Sequence, residues 1–193
     1  MNLRKLLTRK TAFIFLFLSF SISSSGIQDY SLPEALKVLK AIEKMESEQS
    51  SGEKGSLKKI VITEKELNSY IAYRIETEKE EIMKELRLKL FKRNTIEGKV
   101  LIDLRGQNIP EFLRPQMTLF FGGKLEVKKG KARLNIKDLF LEDQRLKPTI
   151  LDFIINLASK IKNTEASSMD DWYELPYGIK DIKTNRHKAV FYY

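Results

Sequence analysis

The sequence predicts an α+β fold, in which a strongly curved antiparallel β-sheet packs against amphipathic helices. The chain has 193 residues, 42% of them hydrophobic, which is enough for one globular domain with a core. Between residues 86 and 141, apolar and polar residues alternate with the period of two that is typical of β-strands. On both sides of that region apolar residues recur at helical spacing, so helices are expected to flank the sheet.

Residues 1–25 have the organisation of a secretory signal peptide. They include four basic side chains near the start, Arg4, Lys5, Arg9 and Lys10. An uncharged apolar run of 11 residues, 12–22, comes next, and small residues allow cleavage after Ser25 or Gly26. The run is shorter than the ~20 residues that span a bilayer. We therefore expect export to the periplasm or another extracytoplasmic compartment, or a membrane-anchored protein if the segment is not cleaved.

The composition excludes several classes of site. With no cysteine, the chain has no disulfides, thiolate metal sites or cysteine nucleophiles, and one histidine cannot form a multi-histidine site. Without its first 25 residues it keeps 31 basic residues against 26 acidic ones, a net charge of +5. No arginine-rich tract or basic stripe interleaved with aromatics is present, so no nucleic-acid partner is predicted. The excess charge is either attracted to an anionic membrane surface or forms a solvated face without a partner.

The N-terminal unit of the mature chain, residues 26–46, is predicted to contain a short amphipathic helix. Ser31 and Glu34 form a capping box, and apolar residues follow at helical spacing over 32–46. Residues 47–56 contain no apolar side chain and are rich in Ser, Gly and charge, which is typical of a flexible linker. The helix is therefore expected to pack on the main domain, residues 57–193, or to swing away from it.

The main domain is predicted to begin with a strand at 57–62 that leads into a helix. Thr63 and Glu66 form a second capping box, and we expect this helix to continue to about residue 83. The glutamate-rich tract at its end is interpreted as a solvated helical arm, with a loop as the alternative. A third, strongly apolar helix is predicted at 148–162 and a closing strand at 189–193.

Four strands are predicted between the second and third helices, at 86–91, 100–105, 119–127 and 132–141. Residues 128–131 have the composition of a hairpin turn. The paired glycines Gly122 and Gly123 indicate a bulge or sharp bend, which would curve the sheet.

Three short motifs in the main domain resemble a known group of proteins. They are Thr63-Glu-Lys-Glu-Leu-Asn-Ser-Tyr70 at a helix start, Arg145-Leu-Lys-Pro148 before the apolar helix, and Leu175-Pro-Tyr-Gly-Ile-Lys-Asp-Ile182 before the last strand. Over residues 57–193 the chain resembles the YpmS-like and LmeA-like exported bacterial proteins, which are similar to the tubular lipid-binding (TULIP) superfamily.

The resemblance implies a non-enzymatic fold in which a long helix lies in a strongly bent antiparallel sheet and an apolar groove accepts acyl chains. The glutamate-rich tract at 76–85 and the separate N-terminal helix depart from this pattern. The chain also supplies only one such unit, so a complete tubular carrier would need a dimer or a partner.

No residue pattern indicates catalysis, a metal site or a cofactor. His187 lies in a predicted turn without a nucleophile motif such as G-x-S-x-G, and an exposed histidine is preferred over a catalytic base. Asn68 is interpreted as a side chain bonded to a neighbouring strand end, with a polar group at a groove mouth as the alternative. The acidic tract lacks the spacing of a calcium loop. The protein is therefore not expected to be an enzyme.

The leading functional prediction is an exported cell-envelope protein that binds a lipid or other amphiphile in an apolar groove between the sheet and the 148–162 helix. The groove candidates are apolar or aromatic, and each is equally compatible with a place in the core: Tyr70, Ile71, Phe121, Phe140, Phe153, Ile154 and Leu157. The alternative is a structural or interaction protein of the envelope with a closed core, whose N-terminal helix docks to another envelope protein.

Overall fold

The computed structural model describes residues 30–50, 56–109, 111, 113–161, 165 and 168–193. The predicted signal peptide and residues 51–55 of the predicted linker lie outside this part of the chain. The described helices are α1 (Leu32–Ser50), α2 (Glu64–Thr77) and α3 (Thr149–Ile161). Among them, none combines the length and the apolar character needed to cross a bilayer.

The strands form two antiparallel sheets. The three-stranded sheet has the order β1-β9-β8, with β1 at Lys59–Thr63, β8 at Asp181–Asn185 and β9 at Lys188–Tyr192. The larger sheet has the order β2-β3-β4-β5-β6, and β7 also pairs with β5. Its strands are β2 (Met83–Leu90), β3 (Thr95–Asp103), β4 (Gln116–Lys128), β5 (Lys131–Leu141), β6 (Gln144–Arg145) and β7 (Tyr173–Glu174). The strands curl into a half-barrel, so the predicted α+β class with a curved antiparallel sheet is confirmed.

The curvature has a visible cause at the paired glycines of β4. The register between β4 and β5 shifts between Gly122 and Gly123, which is the predicted bulge. A Cβ atom at Gly123 would lie 2.6 Å from the carbonyl oxygen of Asn135, so only glycine fits this close approach of two backbones. The β4–β5 hairpin is confirmed as well: Lys129 and Gly130 both have positive φ, 51° and 70°, as a tight hairpin turn requires.

Helix α2 begins as predicted and ends earlier than predicted. The capping box between Thr63 and Glu66 is present, but the helix stops at Thr77 and not near residue 83. Lys79 has φ of 50°, and the buried Glu80 carboxylate accepts hydrogen bonds from the amides of Ile82 (3.1 Å) and Met83 (3.4 Å). The end of the acidic tract therefore turns the chain into β2, and the prediction of a solvated helical arm was wrong.

Helix α1 packs against the main domain. It continues to Ser50, so residues 47–50, which were predicted to be linker, are helical. Its buried side chains are Ala35, Val38 and Met45, and they recur at helical spacing on the face that meets α2 and the sheets. The apolar face of α1 is thus buried against the main domain.

The side chain of Asn94 joins the two sheets. The side-chain amide of Asn94, in the turn between β2 and β3, accepts a hydrogen bond from the Thr184 amide (2.8 Å) and donates one to the Ile182 carbonyl (3.2 Å). The Thr184 hydroxyl donates to the Phe91 carbonyl at 2.6 Å. The β2–β3 turn is therefore tied to strand β8 of the other sheet, and a buried cluster that includes Leu90, Ile96 and Ile182 fills the space beside this junction.

The two neighbouring glycines of β4 give a matched test of the bulge. We expect Gly123→Ala to lower the free energy of unfolding by about 1–3 kcal/mol, because the new methyl group overlaps the Asn135 backbone. Gly122→Ala should leave it unchanged or slightly higher, because its Cβ would meet nothing closer than 3.8 Å. Urea denaturation of both variants measures the difference. Equal stability of the two variants would contradict the assigned role of Gly123.

Candidate functional site

An apolar cavity of about 220 Å³ lies inside the half-barrel. Helices α1 and α2 form one side of it, and the inward faces of both sheets form the other. The residues that line it from α1 are Val38, Ile42 and Met45, and those from α2 are Leu67, Tyr70 and Ile71. The strands contribute mainly Ile62, Leu86, Leu88, Leu90, Ile96, Phe121, Leu125, Leu134, Ile182, Ala189 and Phe191.

The local sequence patterns explain why these side chains point inward. Leu86, Leu88 and Leu90 alternate with charged residues along β2, so all three lie on the same face of the sheet. Val38, Ile42 and Met45 are spaced by four and three residues on α1, which aligns them along one face of the helix. The cavity therefore follows from ordinary amphipathic strands and a helix whose apolar side chains meet without filling the space between them.

Three polar side chains of the cavity wall, those of Tyr70, Thr184 and Arg133, have partners that lie outside the cavity. The Tyr70 hydroxyl accepts a hydrogen bond from Arg74 at 2.8 Å, and Thr184 is bonded to the Phe91 carbonyl. Arg133 donates from Nε to Glu126 at 2.8 Å, and its guanidinium carbon lies 4.9 Å from the centre of the Trp172 ring. The surface that faces the cavity is consequently apolar throughout.

The segment between β7 and β8 also contributes to the wall, through Leu175, Pro176, Tyr177 and Ile179. Burial controls the ionisation of the two tyrosines in this wall, Tyr70 and Tyr177. It raises the pKa of the Tyr70 phenol, although the nearby Arg74 acts in the opposite direction. It also raises the pKa of the Tyr177 phenol, and the neighbouring Tyr70 and Glu46 add to the effect. Both hydroxyls therefore remain neutral at physiological pH, and the cavity wall carries no phenolate charge.

The seven predicted groove residues fall into separate places. Tyr70, Ile71 and Phe121 line the cavity, whereas Phe140 lies on the outward face of the larger sheet. The three candidates on α3 lie elsewhere: Ile154 is buried in the core between α3 and that sheet, Leu157 packs against the same core, and Phe153 is 37% exposed. The cavity thus lies beneath α1 and α2, and not beside the 148–162 helix.

The sequence reasoning did not assign the contribution of α1 and of the three-stranded sheet to the cavity. The apolar spacing of Val38, Ile42 and Met45 is visible in the sequence and marks an inward face. What that face meets depends on the pairing of β1 with β9, which brings the two ends of the main domain together. No local pattern encodes this pairing, because the partners are more than 120 residues apart.

A wider groove of about 640 Å³ occupies the outward face of the larger sheet. A cross-strand row passes through it, in the order Arg87, Lys99, Phe120, Phe140 and Arg145. Two carboxylates pair with the three cations of this row: Glu85 with Arg87 (2.8 Å) and Lys99 (3.1 Å), and Asp138 with Arg145 (2.6 Å). The groove is therefore apolar at its centre and nearly neutral at its rim.

Asn68 has the structural role that was preferred for it. Its side-chain amide donates to the Leu88 carbonyl and accepts from the Leu88 amide, both at 2.8 Å, and Glu64 accepts from the Leu90 amide at 2.6 Å. These bonds satisfy backbone groups along the edge of β2. His187 lies in an exposed turn, as expected, with its Nδ1 3.4 Å from Oε1 of Glu64.

The chain matches no protein-family model, and it shows no significant similarity to a curated protein or to a solved structure. The functional argument therefore rests on the sequence and the geometry of the chain itself.

Replacing Asn68 tests the hydrogen-bonded contact between α2 and the edge of β2. We expect Asn68→Ala to lower the free energy of unfolding by about 1–3 kcal/mol, because it leaves the Leu88 amide and carbonyl without partners. Hydrogen exchange of the Leu88 amide should also become faster. Asn108→Ala, at an exposed loop position, is the control and should change neither quantity. Unchanged exchange at Leu88 in Asn68→Ala would refute the assigned role.

Proposed function

We propose that the protein binds a lipid or other amphiphile non-enzymatically, with an acyl chain in the cavity between the helices and the two sheets. The observation that carries the proposal is a cavity of about 220 Å³ in which only apolar surface faces the interior. An engineered apolar cavity of ~150 Å³ already accepts benzene in another protein, so this one has room for a longer hydrocarbon segment.

The energetics favour an occupant. Apolar side chains that face unfilled space lose the dispersion contacts that atoms on the other side would supply, so the wall gains contacts when the cavity is filled. Each methylene group that enters is worth roughly 0.8 kcal/mol through its removal from water. A hydrocarbon chain therefore stabilises the folded protein while it gains affinity from burial.

Helix α1 is the wall that we propose to open for the ligand. Its charged links to the rest of the domain join partly exposed side chains: Lys37 to Glu66 (3.5 Å), Glu34 to Lys65 (3.8 Å) and Glu48 to Lys58 (3.2 Å). Exposed ion pairs of this kind contribute ~0–1 kcal/mol each. What holds the helix is mainly the burial of Val38 and Met45, and an acyl chain replaces part of that apolar contact when it enters.

The proposal extends to an exported protein of the cell envelope, since residues 1–25 have the pattern of a signal peptide. A membrane is the natural source of an amphiphile for such a protein. The resemblance to YpmS-like, LmeA-like and tubular lipid-binding proteins implies the same class of ligand.

A series of saturated fatty acids of increasing length tests the proposal by calorimetry, below their micelle concentrations. Each added methylene should tighten binding roughly fourfold until the cavity is full, and longer chains should gain nothing more. Val38→Phe fills the cavity from α1 and should weaken binding at least tenfold. Leu36→Phe, at an exposed position on the same helix, should bind like the unmodified chain.

Circular dichroism and thermal unfolding establish that both variants are folded, and Leu125→Phe on the opposite wall gives a second filled cavity. Absence of binding by the unmodified chain would exclude the carrier function. So would equal binding by the filled and control variants. Either outcome leaves a closed-core interaction protein as the remaining function.

A further inference from the structure

The outward face of the three-stranded sheet combines exposed apolar side chains with lysines. Strand alternation directs Lys59 and Val61 of β1, Lys188 and Tyr192 of β9, and Lys183 of β8 to this side. Lys58 exchanges backbone hydrogen bonds with Tyr193, so the pairing of β1 with β9 extends by one residue. The same alternation then places Leu57 on the side of Lys59 and Val61. We call these six residues the basic face.

The apolar members of the basic face are unusually exposed for their size. Leu57 is 58% exposed and Val61 is 50% exposed, the two highest values among the large hydrophobic residues of the described chain. Val61 pairs in register with Val190, so two β-branched side chains lie together at the centre of the sheet. Aliphatic groups that are exposed together on one face of a sheet, unlike scattered ones, indicate an interaction surface.

The lysines of the basic face are poorly neutralised. Among the described residues, Lys59 and Lys188 have no carboxylate within ion-pair distance. Lys183 lies 3.8 Å from Asp181, and its ammonium also lies 5.4 Å from the centre of the Tyr192 ring. The face therefore carries three positive charges against one negative charge, in contrast to the nearly neutral rim of the groove on the larger sheet.

We propose that the basic face docks on an anionic lipid bilayer. Lysines gain affinity from the negative surface potential of such a membrane, and aliphatic side chains enter the boundary between head groups and acyl chains. A tyrosine beside them suits the same layer, where amphipathic rings are enriched. Within the described part of the chain Lys59 and Lys188 lack ion-pair partners, which favours an anionic surface over a second copy of this face, because two such faces would repel each other.

Single-site labelling tests the docking directly, because the chain contains no cysteine. An environment-sensitive nitrobenzoxadiazole label on Val61→Cys should shift to the blue and brighten with vesicles of 30% phosphatidylglycerol in phosphatidylcholine. It should respond little to pure phosphatidylcholine. The same label on Phe120→Cys, an exposed position on the larger sheet, should not change. The full chain is used for both labelled variants. Any binding of its N-terminal segment to the vesicles then affects the two signals equally, and the difference between them reports on the basic face.

Charge removal gives the second readout. Lys59→Gln with Lys188→Gln should weaken partitioning to the anionic vesicles roughly 25-fold, about fivefold for each lysine near the surface. Lys124→Gln with Lys137→Gln removes the same charge from exposed positions on the larger sheet and should have little effect. Equal losses in the two double variants would overturn the proposal. A label response at Val61→Cys that depends on protein concentration without vesicles would also overturn it, in favour of self-association.

Discussion

Two asparagine side chains hold the sheets in the arrangement that leaves a cavity between them. Asn68 of α2 pairs with the backbone of Leu88 on the edge of β2, and Asn94 of the β2–β3 turn pairs with the backbone of β8. The Asn68 amide satisfies backbone groups on the open edge of β2, where no further strand continues the sheet. The Asn94 amide ties the β2–β3 turn of the larger sheet to β8 of the other sheet. The interior that results is wider than the available side chains fill, and the cavity is the consequence.

The helices and the curled sheet divide the interior into a packed part and a hollow part. Beneath α3, Leu151, Ile154 and Ile155 pack against the larger sheet as ordinary core. Beneath α1 and α2, the apolar side chains surround about 220 Å³ of space. The buried contacts of the packed part stabilise the fold and offset the unfavourable free energy of the unfilled space. A ligand function is consistent with this division, because only the hollow part needs to rearrange when a chain enters.

Local signals predicted the features that depend on neighbouring residues. The capping box at Thr63, the turn at Lys129 and Gly130, the bulge at Gly122 and Gly123 and the helix at Thr149–Ile161 are all of this kind. The early end of α2 was missed, because it depends on Glu80 folding back on the amides that follow it. The cavity wall was predicted only through Tyr70, Ile71 and Phe121. Its residues on α1 and on the three-stranded sheet were not assigned, since their place depends on the pairing of β1 with β9.

The position of a charged side chain on the fold decides whether a partner neutralises it. The sequence shows a modest basic excess and does not distinguish a paired lysine from an unpaired one. In the structure, Lys99 has Glu85 as its partner, whereas Lys59 and Lys188 lie beside exposed aliphatic groups. The inner face of the sheet that carries these two lysines supplies Ile62, Ile182 and Ala189 to the cavity wall. A membrane on the outer face and an acyl chain on the inner face would be separated by little more than one sheet, a distance on the order of 10 Å. This geometry would give an amphiphile a short path between a bilayer and the interior, provided that it enters around an edge of the sheet or past α1.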